Sequence, residues 1–445
     1  MTKTLRELAG EGLLQNAMAL WGVQFFRKTL PLITIPYLAR VLGPDGWGLV
    51  VIFQSLAACT GLLIEFGFDL SATRQVARCR QVPERLAEVV AGVFGSQAAL
   101  AAGTVAVALL VHNWVPILRN HPTLVAFSLL VAIAEGFNPT WYFVGMERMG
   151  VVAALEISCK GAAAVAIFSL VRSPEDAKTV LALQAAAAML SILAALCLVY
   201  RKIPFRLPTR RLVHEALRNG WPLFLLRGSE SFYTLGNAFI LGFFVGPTAV
   251  GYFAGPEKIT RALAGLFNPI RQTLYPRLSR LMQTSPSQGA RLARFGMSIT
   301  GLGGLAMGLA VFLLAPWLVR IVLGTQFAPA VVVLRLLSIL PPLVSITQSI
   351  GMQWLLPLGK ERVVTRTVMM AGLLHVLLVL LLVPKHAHVG MAWAVLCSEA
   401  FVCATLLYVA MADATHRLPF RRPAVFPDAG RAVEREAVAP GCGRD

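Results

Sequence analysis

Apolar residues run along this chain in long blocks separated by short polar breaks. About twelve blocks approach or exceed the roughly 20 residues a helix needs to cross a bilayer. Their approximate limits are 13–42, 47–68, 90–111, 123–145, 152–171, 179–200, 219–245, 249–272, 295–316, 330–357, 366–383 and 390–411. Pro31, Pro36, Pro139, Pro222, Pro269, Pro341, Pro342 and Pro357 interrupt them. Membrane helices tolerate such breaks where neighbours or a cavity satisfy the freed backbone. The pattern predicts an all-α integral membrane protein of about twelve transmembrane helices, several of them kinked.

Composition agrees. With 57% hydrophobic residues, 14% charged and a mean hydropathy of +0.69, the chain is not an ordinary soluble protein. Its start resembles the basic end of a signal peptide. The apolar run that follows is too long for one, is interrupted by Arg27 and Lys28, and lacks a small-residue cleavage site, so the first span is expected to be retained. The seven cysteines have no CxxC spacing, and HxH at His386 and His388 lacks a third ligand. No disulfide, metal site or other cofactor is expected.

Loop charges set the orientation. One set of alternate connections carries Arg74, Arg78, Arg80, Arg85, Arg148, the run from Arg201 to Arg218, Arg277, Arg280, Arg291, Arg294, Lys360, Arg362 and Arg366. The opposite set carries Arg40, Arg119, Arg172, Lys178, Arg320 and Lys385. With Lys3, Arg6 and the tail arginines added to the first set the bias is roughly fourfold, which puts both termini in the cytoplasm. The net charge of +18 then needs no nucleic acid, because the basic residues lie in short loops facing anionic headgroups.

The chain also repeats itself. Gly43-Pro44-Asp45-Gly46-Trp47-Gly48 follows the first span, and Gly246-Pro247-Thr248-Ala249-Val250-Gly251 follows the seventh. The fourth span ends in a Trp141 to Arg148 segment echoed from Trp354 to Arg362 after the tenth. Two echoes at nearly equal offset indicate duplication, and repeats place a transporter's site at the interface between halves. The expected division is a six-helix lobe at 1–200, a basic linker at 201–218, a second six-helix lobe at 219–411 and a disordered cytoplasmic tail at 412–445.

Charges inside the spans mark what crosses. Arg27 lies roughly 14 residues, about 21 Å, from either end of its block, too far to snorkel comfortably. An ionisable group at bilayer depth costs a few kcal/mol or more and nearly always faces a wet cavity. Asn16, Gln24, Arg27, Pro31 and Thr34 share a helical stripe, as do Gln54, Ala58, Gly61, Glu65 and Asp69. In the second half Arg227, Glu230, Ser231, Thr234 and Asn237 form one stripe, and Lys258, Arg261, Gly265, Asn268 and Gln272 another. The plainer account is local pairing, Arg227 with Glu230 at i, i+3 and Glu257 with a neighbour, and it does not cover the whole group. Bases outnumber acids in these stripes, which suits an anion such as phosphate or pyrophosphate. Glu65 and Asp69 are candidates to couple a proton or a sodium ion, with local pairing to Arg74 as the plainer role.

PLITIPYLARVLGPDGWG from Pro31 to Gly48, EFGFDLSATRQVA from Glu65 to Ala77, GYFAGPEKI from Gly251 to Ile259 and NPIRQTLYPRLSRL from Asn268 to Leu281 resemble segments of Wzx-type polysaccharide flippases. The resemblance extends to about residue 411. It implies the architecture of the MOP superfamily, two six-helix lobes forming a V around a central cavity. It implies movement of undecaprenyl-pyrophosphate-linked oligosaccharide repeat units (O-antigen, capsule or exopolysaccharide) from the inner to the outer leaflet of the bacterial inner membrane. Arg27, Lys28, Lys258 and Arg261 occupy segments matching those whose cations are associated with the lipid pyrophosphate, and Arg227 is a further candidate. Glu65, Asp69, Glu230, Asn237 and Asn268 are candidate ion-coupling or cavity polar residues. Membrane lipids and the lipid-linked glycan are the partners implied, with polysaccharide polymerase or chain-length machinery beyond them.

Three other readings differ in a visible feature. A MATE-type drug exporter favours acidic and aromatic cavities for its cations. A lipid II flippase usually has two more C-terminal helices. A polymerase or ligase needs an acid–base site on a large exported loop, and none here exceeds roughly a dozen residues. P-loop, HExxH and GxSxG motifs are absent from the sequence, so the chain is read as no enzyme. Trp141, Tyr142, Trp317, Trp354 and Trp393 are assigned to interfacial belts.

Overall fold

A computed structural model describes residues 11–416. Side chains at 11–29, 31–32, 226–227, 229–233, 272, 283, 286 and 413–416 lie outside the description. The regular elements are α1 (Glu11–Glu65), α2 (Phe68–Cys79), α3 (Pro83–His112), α4 (Pro116–Asn120), α5 (Pro122–Gly136), α6 (Thr140–Gly145), α7 (Met149–Leu170), α8 (Ala177–Tyr200), α9 (Arg210–Leu235), α10 (Asn237–Phe244), α11 (Pro247–Ala264), α12 (Asn268–Thr284), α13 (Pro286–Val322), α14 (Ala330–Leu337), α15 (Leu340–Ser349) and α16 (Glu361–His416). A π-helical turn, Ile350–Leu355, follows α15. Among the described residues there is no strand.

Every expected span falls on helix, and among the described residues eight helical stretches are long and apolar enough to cross a membrane. The chain is a multi-pass, all-helical membrane protein. Two of the elements are far longer than a bilayer is thick. α1 has 55 residues and is broken at Gly43, and α16 has 56 and is broken at Ala387. At 1.5 Å per residue each would extend about 80 Å if straight, against a hydrocarbon core of about 30 Å. Beyond the Ala387 break the chain folds back: a Cβ on Gly390 would lie 2.3 Å from the Leu382 carbonyl oxygen.

The breaks at Gly43 (φ 67°) and Gly246 (φ 106°) sit at equivalent places in the two GPxxxG motifs, where a side chain would be strained. The motifs then pack against each other reciprocally. A Cβ on Gly48 would lie 1.8 Å from the Pro247 carbonyl oxygen, and one on Gly251 would lie 2.1 Å from that of Pro44. Thr248 donates a 3.0 Å hydrogen bond to Asp45 across the contact. The two GPxxxG copies thus form one helix crossing, and only glycine lets the backbones approach this closely.

The largest apolar core surrounds that crossing and draws on both halves, from Leu38, Ile52 and Phe53 to Val250, Phe253, Leu337 and Val395. A second core lies within residues 66–217, around Phe68, Trp141 and Val199. A third lies within residues 297–410, around Ile350, Ala371 and Val402. Trp141 and Tyr142 are fully buried in the second core, with Trp141 tilted against Phe94 at 5.6 Å. This corrects their assignment to an interfacial belt: the segment closes a helix junction, and its aromatics fill it. Trp317 and Trp393 are exposed, and Trp354 is half-buried against the third core.

Candidate functional site

Lys258, on α11, reaches across the crossing to residues of α1. Its ammonium lies 4.7 Å from the centre of the Trp47 ring. It also donates a 3.3 Å hydrogen bond to Gln54 Oε1, and Gln54 Nε2 donates one of 3.1 Å to Gln184 on α8. The elements explain the meeting. Gly48 and Gly251 let α1 and α11 touch backbone to backbone, and Trp47, Gln54 and Lys258 then face one another along the seam. Among the described residues no carboxylate lies within salt-bridge distance of Lys258, so its charge is held by a π face and an amide dipole.

One helical turn on, Arg261 Nε meets Glu257 Oε1 at 3.1 Å. The same oxygen accepts a 3.1 Å hydrogen bond from Asn237 Nδ2 at the start of α10. Asn237 Oδ1 lies 2.9 Å from Nε2 of His375, and His375 Nδ1 lies 3.2 Å from Ser398 Oγ, both on α16. Asn237 and His375 are each 1% exposed and Glu257 8%. The five side chains form a continuous polar chain through the packed interior of the second half. It joins α10, α11 and both arms of α16.

Of the cations expected at the site, the structure brings Lys258 and Arg261 together on one helix. The side chains of Arg27, Lys28, Arg227 and Glu230 lie outside the described residues, as does the tail beyond residue 416. Asn268, at the start of α12, accepts a hydrogen bond from Nη2 of Arg271. Arg271 is 1% exposed, and its Nε and Nη1 have no hydrogen-bond partner among the described residues. Glu65 ends α1 and Asp69 opens α2, both half-buried, at the junction where Phe66 stacks on Phe224 of α9. Glu65 lies 11 residues along α1 from Gln54, about 16 Å at the helical rise, so the two acids sit at a different level from Lys258.

Buried acids are more numerous than the sequence stripes indicated. Glu156, Glu257 and Glu399 are all buried, and Lys160 is paired with Glu156 at 2.9 Å and Glu135 at 3.1 Å. The expected surplus of cations therefore narrows, because Arg261 has Glu257 and Lys160 has two carboxylates. Sequence reading missed His375, although a lone histidine in the apolar run 366–383 is a visible signal. It also missed Gln184, Arg271 and the Glu156 group.

Helices of this length and apolarity, broken at paired glycines and packed around a polar crossing of the two halves, define a multi-pass, all-helical membrane protein. The chain belongs to the family described as "Polysaccharide biosynthesis protein", whose profile matches residues 13–282. A curated relative from Escherichia coli K12, named "Putative O-antigen transporter", is 30% identical over 88% of this chain and 95% of its own. A lipid II flippase solved in an inward-closed conformation superposes with a TM-score of 0.67 at 12% identity, over 89% of this chain and 87% of that one. An inward-facing MATE family multidrug transporter superposes at 0.59 and 13% identity, over 87% of this chain and 98% of that one. These relatives and neighbours are transporters or flippases rather than enzymes, in keeping with the absence of catalytic motifs. The structural neighbours are similar in fold alone.

Proposed function

We propose that the chain translocates a lipid-linked oligosaccharide, joined through pyrophosphate to undecaprenol, from the inner to the outer leaflet of the bacterial inner membrane. The observation that carries this is Lys258: a half-buried cation at the crossing of the two halves, set against Trp47 and Gln54 with no carboxylate within salt-bridge distance among the described residues, is placed to pair with an incoming anion. The relatives named as O-antigen transporters support a glycan as the cargo. In this reading twelve spans form two six-helix lobes, 1–200 and 219–411, with both termini cytoplasmic. Core clusters confined to one half each, beside one that joins both, suit lobes hinged at the GPxxxG crossing. The lobes rock about that crossing while the polyprenyl tail stays in lipid. Arg27, Lys28, Arg227, Lys258 and Arg261 bind the pyrophosphate. Asn268 orients Arg271 toward the same charge, and Glu65, Asp69 and Glu230 line the path or couple an ion.

The test is transfer of undecaprenyl-pyrophosphate-linked glycan in proteoliposomes, read at the outer leaflet with an impermeant lectin. Wild type should transfer it, and Arg27→Ala and Lys258→Ala should reduce transfer by at least about tenfold, the factor for roughly 1.4 kcal/mol of lost binding, while remaining folded. Export of small organic cations with no glycan transfer would replace this reading with drug export.

A further inference from the structure

We propose that His375 is a proton-binding site linked to the anion site at Arg261, so that binding of the pyrophosphate is accompanied by uptake of a proton. This rests on the anion-binding role given to Arg261 above. The argument starts from the direction of the hydrogen bonds. A carboxylate oxygen only accepts, so Asn237 must present its Nδ2 to Glu257, and its Oδ1 is left to face His375. Nε2 of His375 therefore carries hydrogen. Nδ1 is where a further proton can come or go.

The group facing Nδ1 suits both states. Ser398 Oγ is 3.2 Å from Nδ1 and 2.7 Å from the Ala394 carbonyl oxygen. When the ring is neutral, the hydroxyl donates to Nδ1. When Nδ1 takes a proton from water, Nδ1–H donates to Ser398 Oγ and the hydroxyl hydrogen turns to the Ala394 carbonyl. The exchange changes one hydroxyl rotamer and leaves His375 Nδ1 and the Ser398 hydroxyl partnered in both states. A histidine that only packs has no need of a partner able to reverse its role, and an ionisable residue in the middle of a membrane helix marks function by default.

The link runs through one oxygen. Glu257 Oε1 receives both Arg261 Nε and, through Asn237, the His375 ring. An anion arriving at Arg261 competes with Glu257 for the guanidinium and leaves that carboxylate short of positive charge. A proton on His375 restores it. Anion and proton thus favour each other, and thermodynamic reciprocity requires that each raise the affinity of the other by the same factor. The ionisable groups around the ring are consistent with this. α11 contributes Glu257, Lys258 and Arg261, and α16 contributes buried Glu399 and Cys403. α10 and α15 carry no ionisable side chain, and Arg335 of α14 lies against Phe312. Arg227 and Glu230 of α9 lie outside the described residues.

The experiment uses the full chain in detergent or nanodiscs. The probe is a water-soluble short-prenyl pyrophosphoryl N-acetylglucosamine, a diester whose own charge is constant across the range. Calorimetry in buffers of different ionisation enthalpy should show proton uptake on binding, and affinity about tenfold higher near about pH 5.5 than near about pH 8. His375→Gln should bind with neither proton uptake nor pH dependence. Ring nitrogen NMR of histidine-labelled protein, with His375 assigned by the signal lost in His375→Gln, should show this ring titrating. A ring that keeps one protonation state from about pH 5 to about pH 9, or proton uptake that survives His375→Gln, overturns the proposal. If wild type binds no diester at any pH, the anion reading fails, and the NMR titration alone decides the proton site. Should His375→Gln not fold, Ser398→Ala removes the reversible partner and should diminish the proton uptake; unchanged uptake would overturn the link.

Discussion

Lys258 and Arg261 are one helical turn apart and held in opposite ways, and their substitutions should separate accordingly. Arg261 leans on Glu257, so Glu257→Ala leaves a guanidinium and Asn237 without their acceptor. Removing one partner of a fully buried pair costs about 3–5 kcal/mol, and the one-third exposure of Arg261 reduces that here. Thermal unfolding of the purified protein should fall sharply, and Glu257→Gln, which keeps an acceptor, should fall less. Lys258 leans on a ring, so Trp47→Leu should cost up to about 2 kcal/mol from the lost cation–π contact, in addition to the lost packing. Arg271 behaves in a third way. Two of its nitrogens have no partner among the described residues, so Arg271→Met should leave the melting temperature unchanged or raised. Glycan transfer in the same variant should drop if that charge serves the substrate, and a variant that keeps full transfer would remove Arg271 from the site.

At the scale of elements, the GPxxxG pair is the contact on which the site depends. Gly48 and Gly251 have no room for a methyl group against the opposing proline carbonyls, whose backbone cannot swing aside as a side chain would. Overpacking of this kind costs typically 1–3 kcal/mol and sometimes more. Gly48→Ala and Gly251→Ala should therefore each lower the unfolding temperature and weaken transfer together, because α1 and α11 must part to accommodate either. Gly246→Ala is a control of a different sort. It meets open space but a φ of 106° and a ψ of 176°, a conformation open essentially to glycine alone, and so should cost only the backbone strain, about 1–3 kcal/mol, without parting α1 from α11. Unfolding temperatures left unchanged by Gly48→Ala and Gly251→Ala would show that the crossing is not the closely fitted contact described.

For the whole molecule, the charge bias of the loops makes a topological prediction. Single cysteines placed at Arg206 and at Arg172, in a chain stripped of its own, should react with an impermeant maleimide from opposite sides of the membrane, Arg206 only from the cytoplasm. Labelling of both from one side would contradict the twelve-span arrangement and with it the lobe assignment. The glycan reading would then need another route for the headgroup.

The sequence by itself determined the membrane class, the helical spans and the two echoes, because a bilayer demands about 20 apolar residues per crossing and leaves that demand legible in one dimension. It also placed Lys258, Arg261 and Asn237 among the candidates, since a polar residue in an apolar run is visible without a partner. Only the tertiary structure decided what those residues touch. The GPxxxG pair became a single crossing once Gly48 met Pro247 and Gly251 met Pro44. Arg261 became a paired cation and Lys258 a ring-held one. His375 joined Glu257 through an asparagine 138 residues away in sequence. Span signals are local and additive along the chain, whereas the charge state and partners of a buried group depend on which helices the fold sets side by side.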